Sequence, residues 1–387
     1  MSMGSAVRAT VTSPSAAHAR RLLDVLGEHR ALIAIASAYI LAGHVIDAAL
    51  PHQQLMRLSL YDQVFFVALA VYLALFVIGF AVVGMFRVER DQPLLPTLAR
   101  RFRHDYLTVE RIGGFVIAAV YVRLLGDTFM SLKPAIPIVH PFAWDEAFMR
   151  WDHALHLGHH PWELLQPLMG PLATAGINFV YNLWLFVMFG VVFWQAWSRN
   201  RRLRTQFFVS FGLAWIVVGT IAATGLSSAG PCYFGRVVAG QSDPYTPLMS
   251  YLHEVNETHP VWALDVQDAL WSAYEPGTAS GDLTTSAASD RIVEMSAAGD
   301  TSIEGEEPMI KGISAMPSMH VTTSVLFALV AWSSGGLVFA AFALFALAIQ
   351  VGSVHLGWHY AIDGYLGAAL IVAIWLGVGR LLRHGAR

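Results

Sequence analysis

Charged side chains are scarce in this chain. Lysine, arginine, aspartate and glutamate supply 13% of the 387 residues, while hydrophobic residues supply 56%; in a soluble domain about a quarter of the residues are charged. The mean hydropathy of +0.52 agrees with this bias. Since about 20 consecutive apolar residues cross the hydrocarbon core of a bilayer, the composition predicts an all-α, polytopic membrane protein and excludes an ordinary soluble domain.

Three further absences exclude particular covalent links, binding motifs and partners. The single cysteine, Cys232, excludes an intrachain disulfide. No glycine-rich loop follows a strand pattern, which excludes the phosphate-binding fingerprints of P-loop and dinucleotide-binding proteins. The net charge of −3 argues against nucleic acid as a partner.

Apolar runs predict about eight transmembrane helices, of which the first is interrupted by His44 and Asp47. The stretch before it lacks the compact layout and the cleavage site of a signal peptide, so we expect the first run to be retained. The predicted helices lie near residues 31–50, 62–86, 111–132, 173–196, 206–227, 319–334, 336–352 and 363–382.

Lysine and arginine are distributed unevenly between the two sets of predicted loops. The N-terminal segment, the loops between helices 2 and 3 and between helices 4 and 5, and the C-terminal segment hold 17 of the 24 basic residues, and the opposite loops hold six. Because cytoplasmic loops are enriched in lysine and arginine, we expect both termini on the cytoplasmic side of a bacterial inner (plasma) membrane. His320, His359 and Asp363 then lie on the outer side.

This orientation predicts which introduced cysteines a membrane-impermeant thiol reagent can reach. After Cys232 is replaced, a cysteine in the 277–307 segment should react from outside, and one near Arg201 should not, because the bilayer shields the cytoplasmic loops. The measurement is the extent of labelling of intact cells. The reverse labelling pattern contradicts the outward-facing site.

The segments on the predicted outer side differ in composition. Residues 144–152 form an amphipathic pattern that predicts a helix lying in the membrane interface, anchored by tryptophans. Residues 244–274 mix apolar and polar side chains, and we expect them to be helical. Residues 277–307 are rich in Gly, Ala, Ser, Thr, Asp and Glu. That composition is typical of a flexible insertion, and a lid over the site is the alternative.

Two short polar sequences at the edges of apolar runs indicate chemistry. Pro317 and Ser318 are good helix-start residues, which predicts His320 in a first helical turn, where free N–H groups favour an anion. His359 and Asp363 stand four residues apart, so the carboxylate can fix the tautomer of the imidazole. One imidazole can then attack phosphorus while the other protonates the leaving oxygen. The alternative is two unrelated histidines at the membrane interface.

These sequences resemble motifs of the phosphatidic acid phosphatase type 2 superfamily. Its second motif is Pro-Ser-Gly-His, which stands here as Pro-Ser-Met-His at 317–320. Its third motif ends in His-x-x-x-Asp, which stands here at 359–363. The likeness covers roughly residues 111–382 and implies a core of six helices, with the motifs at the ends of particular helices.

The likeness also suggests how the chain is divided. A C-terminal unit of residues 111–387 holds the six-helix core, which is interrupted on the outer side by an insertion at about 237–311. Residues 1–110 form an N-terminal cytoplasmic segment followed by two extra transmembrane helices.

The chain departs from the phosphatase motifs at three places. Their first motif, Lys-x6-Arg-Pro, is absent, and residues 227–233 stand in its place as Ser-Ser-Ala-Gly-Pro-Cys-Tyr. Ser353 replaces an arginine six residues before the histidine of the third motif, and Met319 replaces a glycine. The pattern is similar instead to the branch that contains inositol phosphorylceramide synthases, which move a phosphorylated head group between lipids.

The resemblance implies a role for each catalytic candidate. His359 is implied as the nucleophile, Asp363 as the group that orients it, and His320 as its acid–base partner. No metal or other cofactor is implied, because histidine itself attacks phosphorus. The expected partners are the membrane and a phospholipid or other lipid phosphate. The acceptor, which is water in a phosphatase and an alcohol in a transferase, stays open, as does the oligomeric state.

The missing cations of the phosphatase motifs need a replacement, since a transferring phosphoryl group requires fixed positive charge or N–H donors. Lys311 and Arg236 are candidates for binding the substrate, and a solvated loop charge is the alternative for each. Arg123 lies inside a predicted span, where a charge is costly. It either pairs with Asp127 one turn on or contacts the substrate. Ser318 is a further substrate-binding candidate.

Two other interpretations belong to different functional classes. Four histidines at positions 153, 156, 159 and 160 have spacings that suit a metal site, but Leu157 and Gly158 predict a break in the helix there, so we expect interfacial histidines and no metal. A transporter or a non-catalytic lipid-binding protein predicts a lost catalytic histidine or paired inverted repeats. The chain shows neither feature.

Overall fold

In the computed structural model the described residues are 14–50, 56, 62–87, 92–274 and 312–384, and all regular structure within them is helical. The predicted all-α fold class is therefore confirmed. The first part of the chain forms α1 (Pro14–Glu28), α2 (Arg30–Ala49), α3 (Asp62–Met85), α4 (Leu94–Tyr106), α5 (Val109–Leu132), α6 (Ile136–Val139), α7 (Asp145–Leu155), α8 (Pro161–Leu165) and α9 (Pro171–Ala196).

The second part begins with α10 (Arg201–Leu213), which runs through a π-helical stretch (Ala214–Ala222) into α11 (Ala223–Gly225). The predicted outer segment 244–274 contains two helices, and the 277–307 segment lies outside the described residues. The remaining helices are α12 (Phe234–Val237), α13 (Thr246–Asn256), α14 (Trp262–Tyr274), α15 (Met319–Ala331), α16 (Gly336–His355) and α17 (Ala361–His384).

Seven helices in the described part of the chain are long and apolar enough to cross a membrane. They correspond to seven of the eight predicted spans, namely α2, α3, α5, α9, α10 with α11, α16 and α17. The eighth, α15 with the turn that follows it (Met319–Ser334), is shorter. It ends at Gly335, whose φ of +117° lets the chain turn directly into α16.

Helix α15 is short because protein rather than lipid surrounds it. It packs against α9, α10, α16 and α17. Four consecutive residues, Val321 to Ser324, are buried, so every face of its first turns is covered. Gly367 lets α17 approach closely, since a Cβ there would lie 2.4 Å from the Thr322 hydroxyl. The starts of α15 and α17 therefore lie side by side, which positions the site.

The N-terminal helices lie on the flank of this core. Helices α1 and α2 pack against α5, and α3 packs against α9. A Cβ on Gly114 of α5 would lie 3.2 Å from the His29 ring, so glycine allows α1 and α2 to sit close to α5. The proposed division of the chain near residue 110 stays a prediction.

Candidate active site

Hydrogen bonds from two directions fix the start of α15. The Val321 N–H donates to the hydroxyl of Ser318, the N-cap, at 3.4 Å. The Ser318 N–H donates to the Asp363 carbonyl at 3.1 Å. On the other side, the Ala315 N–H donates to the Ser228 carbonyl at 2.9 Å. The first turn of α15 is thus held between α17 and the loop that contains Ser228.

His320 extends from this first turn between two aromatic rings of α9. Its ring stacks on that of Tyr181 with centroids 4.6 Å apart, and the Trp184 ring lies at 4.2 Å. The Trp184 indole N–H donates to the Thr323 hydroxyl at 2.8 Å. Because Trp184 is anchored in this way, the His320 ring is held in one orientation.

A tight turn after α16 brings His359 to the same place. Gly357 has a φ of +74°, and the His359 N–H donates to the Ser353 carbonyl at 3.0 Å. His359 Nδ1 lies 3.3 Å from Asp363 Oδ2. The centroids of the His359 and His320 rings are 6.3 Å apart. The structure therefore brings the three catalytic candidates together, with His359 just before α17 and Asp363 in its first turn.

The His359–Asp363 pair is shielded from solvent. His359 is 7% exposed and Asp363 is fully buried. Burial lowers the pKa of His359 to about 3; a hydrogen bond to the Ala315 backbone opposes this shift, and the charge of Lys133 adds to it. His359 is therefore a neutral imidazole at neutral pH.

Two loops of the site are held by Asp145, a buried carboxylate at the start of α7. It accepts hydrogen bonds from the Ala229 N–H at 2.9 Å and from the Gly230 N–H at 2.8 Å. The Tyr360 hydroxyl donates to it at 2.9 Å. Asp145 therefore joins the loop after α11 to the residue that follows His359.

A second carboxylate of α7, Asp152, caps the start of α17. It accepts from the Ala361 N–H at 2.6 Å and from the Ile362 N–H at 3.0 Å. Burial raises the pKa of Asp152 to about 6, while these two bonds act in the other direction. The sequence predicts α7 as an interfacial helix. The spacing of Asp145, Phe148 and Asp152 also places these three residues on one face of the helix, and that face is buried in the structure.

The candidate substrate-binding residues lie in different surroundings. Arg236 is exposed, with its guanidinium 4.9 Å from the centre of the Trp271 ring. Arg123 lies 3.5 Å from the buried Asp127 within α5. Lys311 lies outside the described residues. Substrate contacts by these residues and by Ser318 stay predictions.

A basic residue that the motifs did not indicate lies near both histidines. Lys133 begins a 3₁₀ turn (Lys133–Ala135) directly after α5. A Cβ on Gly312 would lie 2.7 Å from the Lys133 carbonyl carbon, so the chain that leads into α15 runs against this turn. The charge of Lys133 acts on both His320 and His359. The contact of this turn with Gly312 depends on tertiary packing.

The histidines of 153–160 form a separate cluster. The rings of His153 and His160 are 4.9 Å apart, and His159 lies 3.6 Å from Glu163. Within the described ranges, no group of three or more His, Cys, Asp or Glu side chains is arranged to hold a metal ion.

Removal of the Asp145 carboxylate should destabilise the fold. In Asp145→Ala, two buried N–H groups and the Tyr360 hydroxyl lose their acceptor, and each unsatisfied buried group costs about 1–3 kcal/mol. We expect the free energy of unfolding, measured by chemical denaturation in detergent micelles, to fall by at least ~2 kcal/mol. Glu146→Gln, at the neighbouring partly exposed position, is the control and should change it by less than ~0.5 kcal/mol. Equal stability of the two variants contradicts this role.

Comparison with known proteins adds one finding. The model of a protein family described as the PAP2 superfamily matches residues 146–377. This range extends from α7 into α17 and includes His320, His359 and Asp363. No curated protein matches the chain, and no solved structure does.

Proposed function

The chain belongs to the PAP2 superfamily, and on this basis we propose that it is a membrane enzyme that transfers a phosphoryl or phospho-head-group unit from a lipid donor. The proposed chemistry is that of the inositol phosphorylceramide synthase branch. The observation that supports it best is the position of His359. Its Nδ1 lies 3.3 Å from the Asp363 carboxylate, and its ring lies 6.3 Å from that of His320. Two imidazoles and an orienting carboxylate suit nucleophilic phosphoryl transfer.

The proposed role of Asp363 is to decide which nitrogen of His359 reacts. The Nδ1–H donates to Asp363 Oδ2, which leaves the lone pair on Nε2. The Tyr360 N–H donates to the same oxygen at 3.0 Å and holds the carboxylate in place. Since burial keeps His359 neutral, no proton has to be removed from Nε2 before it attacks.

In the first half-reaction, His359 Nε2 attacks phosphorus. A P–N bond forms as the P–O bond to the lipid alcohol breaks, and His320, which enters the step as imidazolium, donates its proton to the departing oxygen and becomes neutral. In the second half-reaction, an acceptor hydroxyl attacks the phosphohistidine. A new P–O bond forms, the P–N bond breaks, and His320 takes up the acceptor proton.

The acceptor decides between transferase and phosphatase. Both begin with the same phosphohistidine, and water in the second step gives a phosphatase. The similarity of the motifs to those of the inositol phosphorylceramide synthase branch favours an alcohol.

The direct test is product analysis with the purified protein. We expect labelled phospholipids, supplied with ceramide or diacylglycerol, to yield a new phospholipid and a labelled phosphohistidine. His359→Ala should abolish both products. Asp363→Asn should lower the turnover number by about 10⁴-fold, as for other enzymes in which a carboxylate orients a catalytic imidazole. His320→Ala should still form some phosphohistidine from donors with good leaving groups.

The products also distinguish the competing functions. Free phosphate, formed equally with and without an acceptor lipid, supports the phosphatase. Absence of turnover across a broad donor panel supports a lipid-binding or transport protein. Activity of His359→Ala close to that of the unmodified protein contradicts the proposed nucleophile.

The lowered pKa of His359 predicts an unusual pH dependence. Burial moves this pKa from about 6.5 to about 3, so the nucleophilic neutral form persists until the pH falls toward 3. We expect the rate of phosphoenzyme formation from a p-nitrophenyl phosphodiester, whose leaving group needs no proton, to stay constant from about pH 7.5 to about pH 5. Nitrophenolate is measured after quenching in alkali, and thermal unfolding at each pH is the control. A fall centred near pH 6.5 in folded protein contradicts this prediction.

A further inference from the structure

Residues 227–233 form the loop at the place of the missing first motif. The N–H groups at the centre of this loop are not free to bind a phosphate. The N–H groups of Ala229 and Gly230 both donate to Asp145, and the Cys232 N–H donates to the Gly357 carbonyl at 2.9 Å. Consecutive N–H groups of this kind bind one anion, and here a carboxylate of the protein occupies them. Positive charge for a phosphate has to come from another element.

Lys133 lies where such a charge is needed. It follows α5 directly and is partly buried. Its backbone contacts that of Gly312, which begins the described segment leading to Ser318 and His320. In the described part of the chain, no hydrogen bond or ion pair joins its ammonium group to another residue. A partly buried cation that has no such partner among the described residues gains from an anion bound beside it.

The other basic candidates among the described residues are held elsewhere. The Arg236 guanidinium stacks on Trp271, and Arg123 pairs with Asp127. Lys133 is the described basic residue whose charge acts on both His320 and His359. The turn at Lys133 contacts the backbone of Gly312, and Ala315, three residues further on, is hydrogen bonded through its backbone to His359.

We propose that the Lys133 ammonium group binds the phosphate of the substrate between His320 and His359. This inference rests on the proposed function and adds a residue from α5 to the site. The ammonium group stabilises the negative charge on the phosphoryl oxygens as the P–O bond to the lipid breaks. Free N–H groups in the first turn of α15 supply further donors.

Binding of orthovanadate, a phosphate analogue, tests this role without any turnover. Loss of one charge-assisted hydrogen bond corresponds to about a 10- to 150-fold change in affinity. We expect Lys133→Met to raise the dissociation constant for vanadate by this factor, measured by isothermal titration calorimetry in detergent micelles, and to lower kcat/KM for the lipid donor similarly. Lys133→Arg, which keeps the charge, should recover most of the binding.

The matched control is Arg150→Met, which removes a positive charge from the exposed side of α7, where Arg150 pairs with Glu146. This variant should bind vanadate like the unmodified protein. If Lys133→Met fails to fold, as judged by thermal unfolding, Lys133→Gln replaces it as the neutral variant.

The two measurements separate the two proposals. Vanadate binding that depends on Lys133, without turnover of any lipid, supports the phosphate site and contradicts the proposed function. Normal turnover together with unchanged vanadate binding in the neutral Lys133 variant contradicts the role of Lys133 and leaves the function intact. Absence of vanadate binding to the unmodified protein also overturns the phosphate site.

Discussion

The geometry of the site depends on two buried carboxylates of α7. Asp145 holds the loop after α11, and Asp152 holds the first turn of α17. They stand seven residues apart on one helix, roughly 10 Å along its axis, so α7 sets the distance between these two elements. His359 precedes α17 directly, and the loop held by Asp145 binds the segment before α15 through Ser228. Burial of two carboxylates is costly, and the hydrogen bonds that each accepts from backbone N–H groups offset that cost.

The sequence contains enough information to predict the membrane helices, because each span is a local property of about 20 residues. The seven long spans were predicted on that basis. The length of α15 depends instead on what surrounds it. Its composition is as apolar as that of a span, but its neighbours are other helices, and Gly335 ends it before it reaches the length of a span. Hydropathy does not distinguish an apolar helix in protein from one in lipid.

The site was predictable only in part, because some of its contacts depend on packing between distant parts of the chain. His320, His359 and Asp363 belong to two short motifs, and a topology that places both motifs on one side of the membrane predicts that they meet. The contacts of Asp145 join residues 84 to 215 positions apart, and no local pattern encodes such a pairing. The spacing on α7 did mark a buried face. Its tryptophans also fit an interfacial helix, and Trp151 is indeed half exposed.

Charge balance links these carboxylates to Lys133. Asp145 and Asp152 accept hydrogen bonds from N–H groups of the loop and of α17. Asp363 accepts from His359 and from the Tyr360 N–H through Oδ2, and its Oδ1 has no hydrogen-bond partner among the described residues. Asp145 and Asp152 therefore do not need Lys133 as a partner. If one of them paired with the lysine, the ammonium charge would be neutralised and a phosphate would gain little from it. Because backbone donors hold Asp145 and Asp152, Lys133 stays available to an anion, even in a region rich in acidic side chains.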